Sequence, residues 1–374
     1  MARVFQEGFE LGRPSSRPAA GTYGEGLWMP IWNGSYIPAH HVIATAGVMN
    51  SGSYCMYANG RSIFGGVGSL MVANFGSLVE HFGRVELRTE FTDVDIALIT
   101  VLDSAYGRAL TIGNRDTNLR ILLGSTLIGT IDGVVVLGAY TRVEWHFIVD
   151  ATDGLVEVKV NGNSLFTWTG DTRGARGATV THVGLGVGTG VFTGNLPFGK
   201  NQNVYFDDVA INDTSGAINN SWCGKGSIFL LKPKGVGHYS QFTPSNVSLD
   251  NYELVDEVPS DQDTTYVKSE TAENVDTYNM EELIADHGID PTLLVVKAVQ
   301  VCFTGRYEGV DAHLAPMLRH GTTDAEGAPI ELLTTYHKLR HQVFNVSPFT
   351  GLAWTYAEVD ALEAGVKHKE HTHG

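Results

Sequence analysis

The chain is poor in cysteine. Cys55, Cys223 and Cys302 are its only three, and they lie far apart. An odd number at such spacing makes neither a disulfide framework nor a Cys-x-x-Cys metal site, and it fits synthesis in a reducing compartment. Basic residues are scarce as well: 25 Lys and Arg stand against 41 Asp and Glu, giving a formal net charge of -16 over 374 residues. Phosphate binding needs clustered Lys and Arg, so the charge argues against a nucleic-acid partner. Long apolar runs are missing. The stretch from Leu293 to Phe303 is interrupted by Lys297 and is too short to cross a bilayer. The first ten residues place Glu7 and Glu10 where a secretory signal needs an apolar core. Neither membrane insertion nor signal-led secretion is expected. Heptad runs and long amphipathic helices are also lacking, which removes coiled-coil assembly.

What the chain has is alternation. Val143–Asp150 and Leu155–Val160 are two period-two segments facing each other across Ala151-Thr152-Asp153-Gly154, and the second ends on Asn161-Gly162. Period two puts every second side chain on one face of a sheet, and Asn-Gly adopts the positive φ of a tight hairpin. Similar segments recur at Gly83–Phe91, Ile96–Leu102 and Leu119–Leu123, separated by Gly, Asp and Asn, and the chain holds 44 glycines. The pattern predicts a mainly β protein, a sandwich or jelly roll, over residues 1–213. A linker is expected at 214–226, a smaller C-terminal β domain with short helices at 227–366, and a mobile His-containing tail at 367–374. The two helices are expected at Met280–His287 and Thr355–Ala364, the latter capped by Gly365. Further strands are expected at Ser227–Pro233, Leu293–Phe303 and Ile330–Tyr336.

Three segments together resemble the concanavalin A-like (laminin G-like) jelly roll: the opening Phe5-Gln6-Glu7-Gly8-Phe9-Glu10, the Trp145 hairpin, and Val204-Tyr205-Phe206-Asp207-Asp208-Val209-Ala210-Ile211. The resemblance implies that the first and last strands pair. Beyond residue 213, Asn219-Asn220-Ser221-Trp222, Leu230-Leu231-Lys232-Pro233, Tyr252–Glu257, Asp263–Val267 and Pro348–Thr355 look like virion proteins of tailed bacteriophages. That resemblance implies a structural or decoration protein of capsid or tail, made in the host cytoplasm and resident in the virion. It also implies a homo-oligomer among other virion proteins, with a lectin-like domain able to face host-surface glycans.

The residues offer little chemistry. Glycoside hydrolases on this jelly roll set paired carboxylates on one strand face. The nearest arrangement is Glu86 and Glu90, with Asp93 and Asp95 beyond, but Arg88 lies between the two glutamates on the same face. An ion-paired solvent face is expected there, and the chain is read as not an enzyme. A polysaccharide-degrading enzyme on the virion and a free carbohydrate-binding lectin are the alternatives. Aromatics beside polar loops suit sugar binding, because a pyranose stacks its apolar face on a ring while carboxylates and amides take its hydroxyls. The candidates are Trp28 and Trp32 in a Gly/Pro/Asn-rich segment, Tyr106 beside Asp103 and Asn114, and Trp168 near Asp171. Asp207 and Asp208 are expected on opposite faces of their strand, with one of them and Tyr205 on the buried side. There a hydrogen bond to a neighbouring loop, or a Ca²⁺ ion, would offset desolvation. No other cofactor is expected. His368, His371 and His373 could chelate a transition metal at a mobile end.

Overall fold

A computed structural model describes residues 2–10, 29–32, 41–44, 48–59, 69–90, 96–188, 203–258, 260–309 and 312–370. The chain forms two compact units, Met1–Phe229 and Leu230–Gly374. In the first, the described strands are β1 (Arg3–Glu7), β2 (Met29–Trp32), β3 (His41–Ala44), β4 (Cys55–Asn59) and β5 (Ser69–Leu78). They continue with β6 (Glu80–Thr89), β7 (Ile96–Leu102), β8 (Arg108–Arg115), β9 (Asn118–Leu123) and β10 (Thr126–Ile131). The last are β11 (Tyr140–Ile148), β12 (Gly154–Val160), β13 (Asn163–Gly170), β14 (Val180–Gly188) and β15 (Asn203–Asn212).

Two antiparallel sheets result. The larger runs β13-β12-β11-β6-β15-β4-β3 with β1 also on β15, and the other runs β10-β9-β8-β7-β14-β5-β2. The unit is a β-sandwich of the jelly-roll kind, as the alternation predicts. Its core lies between the inner faces, where Val85, Leu87, Val143, Trp145, Phe147 and Phe206 of the larger sheet join Ile99, Val101, Ile112 and Leu185 of the other. Trp145 is fully buried, its indole Nε1 donating to His81 Nε2 at 3.0 Å. Burial drives His81 down to about 3, so it stays neutral. The indole lies over Gly83, where a Cβ would stand 2.0 Å from the ring.

The β11–β12 hairpin forms in the expected register, with Val143 opposite Val160 and Ile148 opposite Leu155. Asn161 (φ 50°) and Gly162 (φ 88°) turn the chain into β13. The first and last strands of the sandwich pair, Phe5 opposite Ile211 and Glu7 opposite Val209. One edge of β15 is shared. Asn203–Phe206 pairs with β4, whereas Val209–Asn212 pairs with β1.

The segment expected as a free linker, 214–226, belongs to the first unit and folds over the outer face of the larger sheet. Cys223 is buried against the Phe82 and Ala210 carbonyls. Gly224 N donates to Glu144, its carbonyl accepts from Arg84, and Ile228 N donates to Asp208. Trp222 packs on Phe82, with the Lys159 ammonium 3.6 Å from its ring centre. Ile228 is committed to this anchoring, so the strand expected at Ser227–Pro233 does not form there.

The second unit is also antiparallel. Pro233–Ser240, Val275–Met280, Leu362–Lys369, His313–His320 and Thr323–Glu326 form one sheet in that order, with Ile330–Glu331 also on His313–His320. Val299–Gly305 and His337–Phe344 make a separate ribbon, displaced from the expected Leu293–Phe303. Of the expected helix at Met280–His287, Met280 ends a strand and residues 283–287 are turn, with Glu282 N and Leu283 N taken by the Asp286 and Asp360 carboxylates. The second expected helix shrinks to Tyr356–Asp360, started by a Thr355–Glu358 capping box. Within the segment expected as a tail, Lys367 and Lys369 lie in a strand, both paired with Glu273 and Glu326. His368 is in that strand too, while His371 and His373 lie outside the described residues.

Candidate functional site

The sequence candidates do not converge. Trp28 lies outside the described residues, and Trp32 ends β2 at the edge of its sheet. Asp103 shapes the β7–β8 loop by accepting from the Ala105 and Gly107 N–H groups. In the same loop Tyr106 (φ 61°) is exposed, its ring 4.9 Å from that of His182. Asn114 sits at the far end of β8, six residues past its start and so about 20 Å from that loop. It is fully buried and donates to the Asp116 carbonyl. Trp168 packs against the core of the sandwich. Asp171 caps a turn by accepting from Gly174 N. Asn114 is closed to a ligand, whereas Trp168 is half-buried.

Asp207 and Asp208 do not point to opposite faces. The β15–β6 register shifts between Asp207 and Ala210, and Asp208 has φ 51°. This bulge brings both carboxylates to the place where β15 changes partner from β4 to β1. It also puts Tyr205 outside, with Val204 and Phe206 inside before the bulge and Val209 and Ile211 inside after it. All four oxygens take donors: Asp207 from the N–H groups of Asn50, Ser51 and Asp208, and Asp208 from the Asn50 amide, the Ser51 hydroxyl and Ile228 N. Glu10 adds a third carboxylate, accepting from Ser53 N and Tyr54 N. These groups latch the 50–54 segment. Oxygens that all face N–H and O–H donors do not make a cation cage, and among the described residues no group of three or more metal-ligating side chains is found. Burial raises the titration of both aspartates, that of Asp207 further by the charge of Asp208 and that of Asp208 against the pull of Arg84, and pushes Glu10 up to about 7.

The strongest constellation lies on the outer face of the larger sheet, beside the half that 214–229 covers. Strand pairing sets its side chains in rows across the sheet. Tyr140, Arg88, Tyr205 and Tyr57 form one row, and Arg142, Glu86 and Asp207 form the next. The rings of Tyr57 and Tyr205 are 5.2 Å apart and tilted by 35°, with the Arg88 guanidinium 5.6 Å from the Tyr205 ring centre. Arg88 pairs with Glu90 at 2.9 Å. Asn203 donates to Glu90 at 3.2 Å and accepts from the Tyr57 hydroxyl at 2.7 Å. All five side chains are thus held before any ligand arrives. Burial and the nearby Glu90 push Tyr205 up to about 12, so its hydroxyl keeps its proton.

Glu86 differs from its neighbours. It is 7% exposed, and no hydrogen-bond or ion-pair partner meets its carboxyl among the described residues. Burial pushes it up to about 7, against the pull of Arg84 and Arg142. Arg84 is occupied with the Asp208 and Gly224 carbonyls, and Arg142 with Glu144 at 3.1 Å. The expected ion-paired face is therefore half right: Glu90 is paired with Arg88, while Glu86 has no pair among the described residues. Asp93 and Asp95 lie outside the described residues. Sequence reading missed Tyr57, Tyr140, Arg142 and Tyr205. The signal was alternation itself, because Tyr140/Arg142/Glu144 and Arg84/Glu86/Arg88 each occupy the outward positions of strands whose inward positions are apolar.

No family model and no curated protein matches the chain. Among solved structures, a cellulose-induced protein, Cip1, is 17% identical, with 59% of this chain and all of the other covered and a TM-score of 0.37. The fourth domain of AbnA, an extracellular arabinanase from Geobacillus stearothermophilus in complex with arabinotriose, is 16% identical over 57% and 93% of the chains, TM-score 0.34. Alginate lyases also appear; one from Corynebacterium sp. is 9% identical over 47% and 82%, TM-score 0.34. With such lyases among the similar structures, and Glu86 unpaired, the expectation that this chain is not an enzyme does not stand.

Proposed function

We propose that the protein binds a polysaccharide on the outer face of the larger sheet of its sandwich. The observation that carries this reading is the Tyr57–Tyr205 pair, two half-buried rings fixed by Arg88, Glu90 and Asn203. Rings of this kind take the apolar face of a sugar, and the carboxylate and amide beside them take its hydroxyls. Because the network is already formed, little side-chain entropy is lost on binding. The arabinotriose complex of the AbnA domain is a precedent for sugar binding in a β domain of similar kind. In affinity electrophoresis of the full chain against a panel of polysaccharides, at least one should retard it. Tyr57→Ala and Tyr205→Ala should each weaken that binding about tenfold, or about 1.4 kcal/mol. Absence of retardation by any glycan, or retention of full affinity in both variants, would remove the reading.

Glu86 favours a second step on the same face, cleavage of the bound polymer, since an unpaired carboxyl poised near 7 is suited to proton transfer. The setting that the sequence resembles, a phage virion, would display many copies and give avidity from weak single sites. Antibody against this chain should then label intact particles. Unlabelled particles would refute that setting and leave the glycan site intact.

A further inference from the structure

We infer that the outer-face site cleaves uronate-containing polysaccharides by β-elimination, with Glu86 as the proton acceptor; the inference rests on the glycan-binding reading above. The carboxylates on that face differ in what holds them. Glu90 is held by Arg88 and Asn203. Glu144 is held by Arg142 and Gly224 N. Asp207 and Asp208 have donors on every oxygen. Only Glu86, among the described residues of the face, has its carboxyl uncommitted. Hydrolysis by the usual two-carboxylate route needs a second free carboxyl within about 5–9.5 Å, and the described residues of this face offer none.

Elimination needs a different set: one base, a cation beside the uronate carboxylate, and one proton donor. Arg142 stands directly across from Glu86 on β11, and Arg88 lies two residues along β6 with its Nε buried and unpartnered. Tyr205 stands directly across from Arg88 on β15, with a protonated hydroxyl. Arginine beside the sugar carboxylate stabilises the negative charge that develops when the adjacent carbon loses its proton. Glu86 takes the proton from the carbon bearing the carboxylate. The released electron pair forms a carbon–carbon double bond to the β-carbon. The bond from that carbon to the glycosidic oxygen breaks, and the oxygen takes the Tyr205 proton. Glu86 then releases its proton to solvent and Tyr205 regains one, so neither water nor an oxidant is consumed.

The test incubates the full chain with polygalacturonate, polymannuronate and a glucuronate-containing glycan, with dextran as the neutral comparison. Ultraviolet absorbance of the new conjugated double bond reports cleavage, and affinity electrophoresis reports binding. A polyuronate should be bound and should gain absorbance. Glu86→Gln should lower the rate at least about a hundredfold while binding changes less than threefold, and Tyr205→Phe should retain binding but slow cleavage. The cleavage rate should rise with pH through about 7, as Glu86 ionises. Binding of polyuronates without a gain in absorbance, or reducing ends appearing without it, would overturn elimination and keep the glycan site. So would full activity in Glu86→Gln, or retardation by dextran alone. Failure of every glycan to bind is the separate result that removes the underlying reading.

Discussion

At the scale of single residues, position relative to the sheet decides role. Gly83 and Glu86 are three apart on β6, one under the Trp145 indole and the other on the outer face. Gly83→Ala would force a methyl into the ring, an overpacking with no soft neighbour to yield. It should destabilise the protein by about 1–3 kcal/mol, read as a lower urea midpoint at unchanged slope. Inward and outward assignment along β6 and β11 was legible from alternation, so the core was too. Glu86 was legible as a carboxylate on an outward position but not as an unpaired one. Pairing depends on which rotamers Arg84 and Arg142 adopt, and those are set by Gly224, Asp208 and Glu144, residues far away in sequence.

At the scale of elements, the junction on β15 shows where alternation fails. Period two assigns Asp207 and Asp208 to opposite faces, and it placed Tyr205 inside. One extra residue, Asp208 with positive φ, reverses the parity of everything before it. No local composition announces such a bulge, since its cause is that β15 must serve β4 and then β1. The junction also has a pH signature. Glu10 is pushed up to about 7 in the fold, so between its ordinary value near 4.5 and about 7 the native state binds more protons than the unfolded one. Stability should therefore fall as pH rises through that window, and Glu10→Gln should flatten the slope in urea titrations at successive pH values. The hairpin offers a simpler check. Gly162 sits at φ 88°, and Gly162→Ala should cost roughly 1–2 kcal/mol of stability in thermal or chemical melts.

At the scale of the whole molecule, the β class and the sandwich were legible from alternation, a short-range pattern, whereas the pairing of first and last strands was legible only as what the resemblance to the concanavalin A-like jelly roll implies. The end of the first unit was not legible. Residues 214–226 read as linker from Gly, Ser and Asn, yet Cys223, Gly224 and Ile228 are tied to the outer face by backbone groups, which carry no compositional mark. A fragment ending at 213 should leave Arg84, Glu144 and Asp208 short of partners and unfold at lower urea than a fragment ending at 229. Equal midpoints would mean that the overlying segment contributes nothing.

The same anchoring decides how the first unit bears mechanical load. Arg3 lies opposite Asn212, so tension between the start of β1 and the end of β15 would peel the rungs apart one at a time. The chain, however, leaves by way of Ile228, whose side chain lies against Gly8 at the other end of β1 and whose N–H is fastened to Asp208. Pulling between residue 2 and residue 229 therefore drags β1 lengthwise, and its hydrogen bonds must fail together rather than in turn. A segment that looks like slack rope turns a zipper into a lap joint.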